Sequence, residues 1–286
     1  MERAVSVQRE VGLSGTALKM VALVTMLLDH IHYFFGYTGL VPEWFSMAGR
    51  ISGPLFLFCV VEGFTHTRSR KKYFFRIYGI AVGMGLILYL MKALGLFVRA
   101  DGFYPANAVM AEFVILMVMW QGMDWIGEKK LLRGICALFL PFVWYFGVVG
   151  IFCQLFTPAV PVVAFLSHTV VPTLNMSPDV SIVYLVLGLI LYGLRRRRGW
   201  QVLAFMAVDF SWFFGVVMRV LSSQPDFSIS QMFTTYYEWY GIFAGILMLC
   251  YNGQRGAGCK RLFYAFYPAH IYVLYGLSCL AMGFVL

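Results

Sequence analysis

The chain has 286 residues, 61% of them hydrophobic and only 12% charged, where a soluble domain carries about 25% charged residues. With a mean hydropathy of +0.78, this excludes an ordinary soluble domain. It predicts an all-α, polytopic membrane bundle of about nine to ten transmembrane helices, a single domain over residues 1–286. The net charge of +9 lies in short basic blocks between apolar runs. That is the positive-inside pattern rather than a nucleic-acid footprint, so no nucleic-acid partner is expected.

In chain order, spans are expected at 18–37, 51–66, 74–97, 107–124, 132–156, 180–194, 200–221, 234–251 and 262–285. The first run is too long for a signal peptide and lacks a small-residue cleavage site, so it reads as a span. The stretch 158–172 carries Pro158, Pro161 and Pro172 and reads as a re-entrant segment or a short tenth span. The basic blocks are Arg3/Arg9/Lys19, Arg68–Lys72 with Arg76, Lys129-Lys130 with Arg133, Arg195–Arg198, and Arg255 with Lys260-Arg261. The intervening loops Thr38–Met47, Pro158–Asp179 and Ser222–Ser230 have no Lys or Arg. With every basic block in the cytoplasm, nine crossings leave the N-terminus inside and the C-terminus outside.

Ionisable residues within these runs are the candidates for function, because a charge at that depth is costly unless it is paired or faces a polar cavity. Asp29-His30 lies inside the first run, with His32 and Tyr33 on the Asp29 face. A carboxylate near an imidazole orients it and favours its protonated form, which suits general-base work; a structural pair or a proton relay is the rival. Arg50 follows at the non-cytoplasmic start of the second span. It is either a cation facing the Asp29 cluster or a side chain snorkelling to the interface. Glu62 and His66, four apart on one face, end that span beside Arg68, Arg70, Lys71 and Lys72. Those bases either set topology and meet anionic lipid or hold phosphates. In the last run Pro268 interrupts the hydrogen-bond ladder between Tyr267 and His270, a pattern typical of cavity lining. Asp209 and Glu238 are further buried acids that pair with Arg219 or line the cavity, and His168 lies in the Pro-rich segment. The six cysteines form no CxxC, so neither a disulfide framework nor a metal site is predicted. Gly-rich nucleotide loops, HExxH and GxSxG are absent. No internal repeat is visible.

The run Leu18-Lys19-Met20…Leu28-Asp29-His30, then Gly49-Arg50-Ile51…Pro54-Leu55-Phe56, Val61-Glu62-Gly63-Phe64-Thr65-His66-Thr67-Arg68 and Lys72-Tyr73…Arg76 resembles the TraX family. Phe263-Tyr264-Ala265-Phe266-Tyr267-Pro268-Ala269-His270 is similar to that family's closing motif. The likeness is dense over the first 76 or so residues and the final 25, and departs at Ser52-Gly53 before Pro54 and at His32. It implies an F-pilin acetylase-like enzyme akin to the wider group of transmembrane acyltransferases, with acetyl-CoA as donor from the cytosolic side. The same likeness implies the cytoplasmic (inner) membrane of a bacterium as location. By motif it carries roles to Asp29, His30, Arg50, Glu62, His66, Tyr73, Arg76, Tyr267 and His270.

The combined expectation is acetyl transfer to a peptide or glycan acceptor, at an amine or hydroxyl. His30 acts as base or transient acetyl carrier, Asp29 orients it, and Arg50 or His270 positions the acceptor or steadies the oxyanion. Glu62, His66, Arg68, Arg70, Lys71, Lys72, Tyr73 and Arg76 hold acetyl-CoA, while Tyr267 and His32 meet the acceptor. The other expectation is a proton-coupled transporter with a proton path through Asp29, His30, Glu62, His66 and Asp209.

Overall fold

The computed structural model describes residues 12–106, 109–174, 182–258, 260–282 and 284–285. Arg3, Arg9, Asp179, Cys259 and the span edges expected at 107–108, 180–181 and 283 lie outside the described residues, as do the side chains of Lys260 and Arg261.

Helix α1 (Gly15–Phe35) starts where the Ser14 hydroxyl accepts from the Ala17 N–H, satisfying one of the donors that a helix start leaves open. After a 3-10 turn at Gly36–Thr38 come the short α2 (Trp44–Gly49) and α3 (Ser52–His66). Together they form one apolar stretch, Trp44–His66, that begins earlier than the expected 51–66. Ser69 caps α4 (Arg70–Leu94) through the Lys72 N–H, and α4 ends at Gly95, whose φ of 63° lies in the left-handed region that favours a residue without Cβ. Helices α5 (Val109–Gly127) and α6 (Leu131–Phe142) form an antiparallel pair joined by Glu128–Lys130. Directly after Pro141, which cannot donate to the ladder, α6 widens into a π-helical stretch, Val143–Phe152, and ends in α7 (Cys153–Leu155).

The remaining elements are α8 (Val160–His168), α9 (Ile182–Gly193), and α10 (Arg198–Phe210), which runs through a π-helical Ser211–Val216 into α11 (Val217–Leu221). Then follow α12 (Gln231–Thr234), a 3-10 segment Tyr237–Phe243 leading into α13 (Ala244–Leu249), and α14 (Lys260–Met282), which stays helical through Pro268. A two-residue antiparallel pairing joins β1 (Val98–Arg99) to β2 (Phe284–Val285).

The architecture is an all-α membrane bundle. Among the described residues, 7 helical segments are long and apolar enough to cross a membrane. The stretches expected at 180–194, 158–172 and 234–251 fold as Ile182–Gly193, as Thr157–His168, and as a composite of Tyr237–Phe243 and Ala244–Leu249. The difference has a local cause: Pro158 and Pro161 restart the chain as a 3-10 turn and short helix, and the segment around Gly241 begins as a tight 3-10 turn.

In lipid the driving force between helices is close packing rather than water exclusion. Leu55, Phe58, Leu116, Trp120, Leu187 and Phe205 are fully enclosed where α3, α5, α9 and α10 meet. Apolar side chains such as Leu132 and Phe139 on α6, and Val143 just beyond it, point outward, as a lipid-facing surface requires. At the C-terminal end of α1 the buried Arg99 donates to Phe34 O (2.9 Å) and to both Asp101 oxygens (2.9 and 2.7 Å), and lies over the rings of Tyr37 and Phe103. Tyr275 Oη donates to Phe97 O and Phe103 O, so the α4–α5 connection is tied to α1 and α14. The bond from Arg99 holds the Asp101 carboxyl below the usual carboxylate range.

Candidate functional site

The hydrogen-bonded centre of the site lies between α1 and α2. Ser46 Oγ donates to Asp29 Oδ1 (2.9 Å); Arg50 Nη2 donates to the same oxygen (3.1 Å) and to Ser46 Oγ (2.8 Å). Arg50 Nε also donates to Ser46 O (3.3 Å), so the guanidinium clamps its own helix to Asp29. Ser46 and Arg50 are four apart, and α2 places both on the side facing α1. The approach depends on Gly49: a Cβ there would collide with Asp29 Cβ and stand 2.6 Å from Oδ1. Asp29, at 23% side-chain exposure, is thus a paired carboxylate within the membrane, in keeping with the cost of leaving one unpaired.

His30, the next residue, turns about 100° away from Asp29. Its Nδ1 lies 2.8 Å from Met26 O. A carbonyl only accepts, so Nδ1 carries the proton and Nε2 is the basic nitrogen. The orientation expected from Asp29 is therefore supplied by His30's own helix, while the Asp29 carboxylate accepts from Ser46 and Arg50. His270 stands edge-on to His30 with ring centroids 4.8 Å apart, although 240 residues separate them in sequence. It repeats the same pattern: Nδ1 donates to Phe266 O at 2.8 Å, and the ring stacks on Phe266. Its Nε2 is buried without a hydrogen-bond partner among the described residues.

One cavity of about 1000 Å³ joins these groups to the far end of the helices. Along α1 its wall runs from Thr16 and Lys19 to His32 and Tyr33, a rise of about 25 Å at 1.5 Å per residue. The half of its wall nearest the Ser46–Asp29–Arg50 cluster contains Asp29, His30, His32, Arg50, Asp209, Glu238 and Tyr267. The other half contains Glu62, His66, Arg68, Tyr73 and Arg76, with Lys19 and Arg255 added. Arg76 lies over the Tyr264 ring and Lys19 over Phe263. Glu62 pairs with Arg198 (3.0 Å) and faces the exposed His66 (3.8 Å), so part of the acidic wall is already balanced from α10.

Four of the expected residues do not contribute to that wall. His270 backs His30 from behind. Lys71 and Lys72 are exposed on α4 away from the cavity. Arg70 instead donates to Asp124 Oδ2 (2.7 Å), Gln121 Oε1 and Tyr192 Oη, and Arg195 binds the other Asp124 oxygen (2.8 Å). This hub fastens α4, α5 and α9 together, a use of Arg70 that hydropathy and charge blocks do not reveal. Conversely, Ser46 and the wall roles of Lys19 and Arg255 escape the reading from sequence. The i, i+4 spacing of Ser46 to Arg50 is a signal that could have found it, while Lys19 and Arg255 look like topology signals alone. Asp209 does not pair with Arg219: it faces the cavity, and no salt bridge among the described residues includes either side chain. No cluster of three or more His, Cys, Asp or Glu able to hold a metal ion occurs among the described residues.

The family described as TraX protein matches residues 14–278. The chain is also similar to "Probable fimbrial assembly protein FimC, serogroup H1" of Dichelobacter nodosus, 37% identical over 70 residues. That stretch is 24% of this chain and 29% of the relative, so the match spans less than a third of that protein's length. No solved structure matches.

Proposed function

The chain belongs to the TraX family, and from that premise we propose that it is an acetyl-CoA-dependent transmembrane acetyltransferase acting on a peptide or glycan acceptor in pilus biogenesis. The observation that carries this reading is the single cavity with an imidazole of defined tautomer on its wall and cations along one half. In that reading the cytoplasmic half takes the coenzyme, with Arg68, Arg76, Lys19 and Arg255 as partners for its phosphates. Tyr73 and Tyr267 line the path of the acyl arm. The fimbrial relative supports a pilin-type acceptor, and amino sugars share the same nucleophile.

His30 Nε2 takes a proton from the acceptor N–H or O–H as the acceptor atom attacks the thioester carbonyl carbon. The C–S bond breaks, and the departing thiolate takes up a proton to leave as coenzyme A. Net, the acetyl group is exchanged for one acceptor hydrogen. Arg50, fixed by Asp29 and Ser46, presents positive charge beside the reacting carbonyl and offsets the developing oxyanion. His270, packed against the His30 ring, holds that ring in place. The proposed setting is the bacterial inner membrane, in a bundle of nine to ten spans with the N-terminus in the cytoplasm.

Thiol release from acetyl-CoA by the purified protein in detergent tests the reading, with and without peptide and amino-sugar acceptors, beside His30→Ala. Acceptor-dependent release that disappears in the variant is expected. Substrate movement across proteoliposomes with no release of coenzyme A would replace this function with proton-coupled transport.

A further inference from the structure

We propose that Asp209, assisted by Glu238, forms an ammonium-binding subsite in the outer half of the cavity, where a protonated amine of the acceptor docks and passes one proton to the Asp209 carboxylate, leaving the neutral amine for transfer. This deepens the acetyltransferase reading and rests on it for the transfer step alone; the binding of the amine stands independently.

Asp209 is 1% exposed and lies on the cavity wall, and its Oδ2 has no hydrogen-bond partner among the described residues. A carboxyl oxygen without a donor at that depth is unfavourable, and native proteins rarely keep one unless a ligand, ion or water completes it. The backbone is also unusual there. Two residues later the helix leaves α geometry for the π-helical Ser211–Val216, a feature found disproportionately at functional positions. Gly241 brings the opposing 3-10 segment against the acid: a Cβ on it would meet Asp209 Oδ1 at 3.1 Å and Pro54 Cγ at 3.4 Å. The same segment supplies half-buried Glu238 to the wall, and its Tyr237 ring lies under the Arg50 guanidinium.

Charge selects the ligand. Asp29 and Arg50 offset one another, whereas no salt bridge among the described residues involves Asp209 or Glu238. The outer chamber thus holds two acidic side chains that no salt bridge among the described residues involves, facing a space large enough for a ligand. A neutral hydroxyl supplies the missing hydrogen bond alone; an ammonium supplies it and also stabilises the carboxylate as an ion pair.

Equilibrium dialysis of radiolabelled n-butylamine against the intact protein in detergent, without acetyl-CoA, tests the subsite, with n-butanol as uncharged competitor. Saturable binding is expected that butanol does not displace and that Asp209→Asn weakens about tenfold or more, as loss of one partner of a desolvated charge pair does. Glu238→Gln is expected to weaken it less. Equal competition by butanol, or unchanged binding in Asp209→Asn, would overturn the proposal. Should Asp209→Asn not fold, dicyclohexylcarbodiimide labelling of the wild-type protein is read by mass spectrometry. Modification of Asp209 that triethylammonium slows upholds the subsite, since a tertiary amine cannot trap the activated acid as an amide, and indifference to it removes the subsite. Because acetyl-CoA is absent throughout, failure here with intact thiol release rejects only the subsite. Amine binding without thiol release rejects only the transfer reaction.

Discussion

His30 owes its chemical character to a bond within its own helix. Since Nδ1 is committed to Met26 O, substitution to Gln keeps an amide donor near that carbonyl but removes the basic nitrogen. His30→Gln is therefore expected to fold normally and to lower acetyl transfer by about 10²- to 10⁴-fold, measured as acceptor-dependent thiol release. In the connection between α4 and α5, Asp101 gives a pH prediction. Its folded carboxyl titrates below the usual range because Arg99 bonds it. The pair's contribution is therefore complete above the ordinary carboxylate pKa and declines as pH falls below about 4 toward the lowered value. The Tm difference between wild type and Asp101→Asn should accordingly be largest near neutrality and shrink in acid. A gap that widens in acid would contradict the assignment.

Among the helices, the closest approach at the site is that of α2 to α1. Gly49 is its hinge of contact, because any side chain there meets Asp29. Gly49→Val should force the helices apart, breaking the Ser46–Asp29–Arg50 cluster, and destabilise the protein by about 1–3 kcal/mol, read as a lower Tm in detergent. Asp124 plays the corresponding role at the other end. Asp124→Ala leaves Arg70, Arg195 and Tyr192 without their shared acceptor and should cost about 1–3 kcal/mol without changing KM for acetyl-CoA. The long helices are readable in the sequence because their apolar runs exceed what a soluble helix needs. The short ones are not: α2 is only Trp44–Gly49, and its role depends on Gly49 meeting a residue twenty positions earlier. Likewise, the block Arg68–Lys72 looks uniform in sequence. The connection between α3 and α4 places Arg68 on the cavity, while helical rotation along α4 sends Arg70 to Asp124 and leaves Lys71 and Lys72 outside, a sorting that needs the partner helices to be in place. The nearness of His30 and His270 is legible from the family likeness alone, since no local pattern links the two ends of a chain.

For the molecule as a whole, the cavity makes the two ends functionally unequal. Arg68→Gln with Arg76→Gln should raise KM for acetyl-CoA with little change in kcat, and more so at low salt, because these groups bind the ground state and transition state alike; Lys71→Gln should leave both constants unchanged. The depth of the cavity carries a further consequence. Its wall covers most of a hydrocarbon core about 30 Å thick, so Asp209 sits well inside the transmembrane electric field. A cationic acceptor entering from outside would move down the resting potential of an energised cell. Crossing half of that field favours it by about 1 kcal/mol per 100 mV. Acceptor capture would then be several times tighter in energised vesicles than in detergent, and a protonophore would abolish the difference: the membrane potential would set the working affinity of the site.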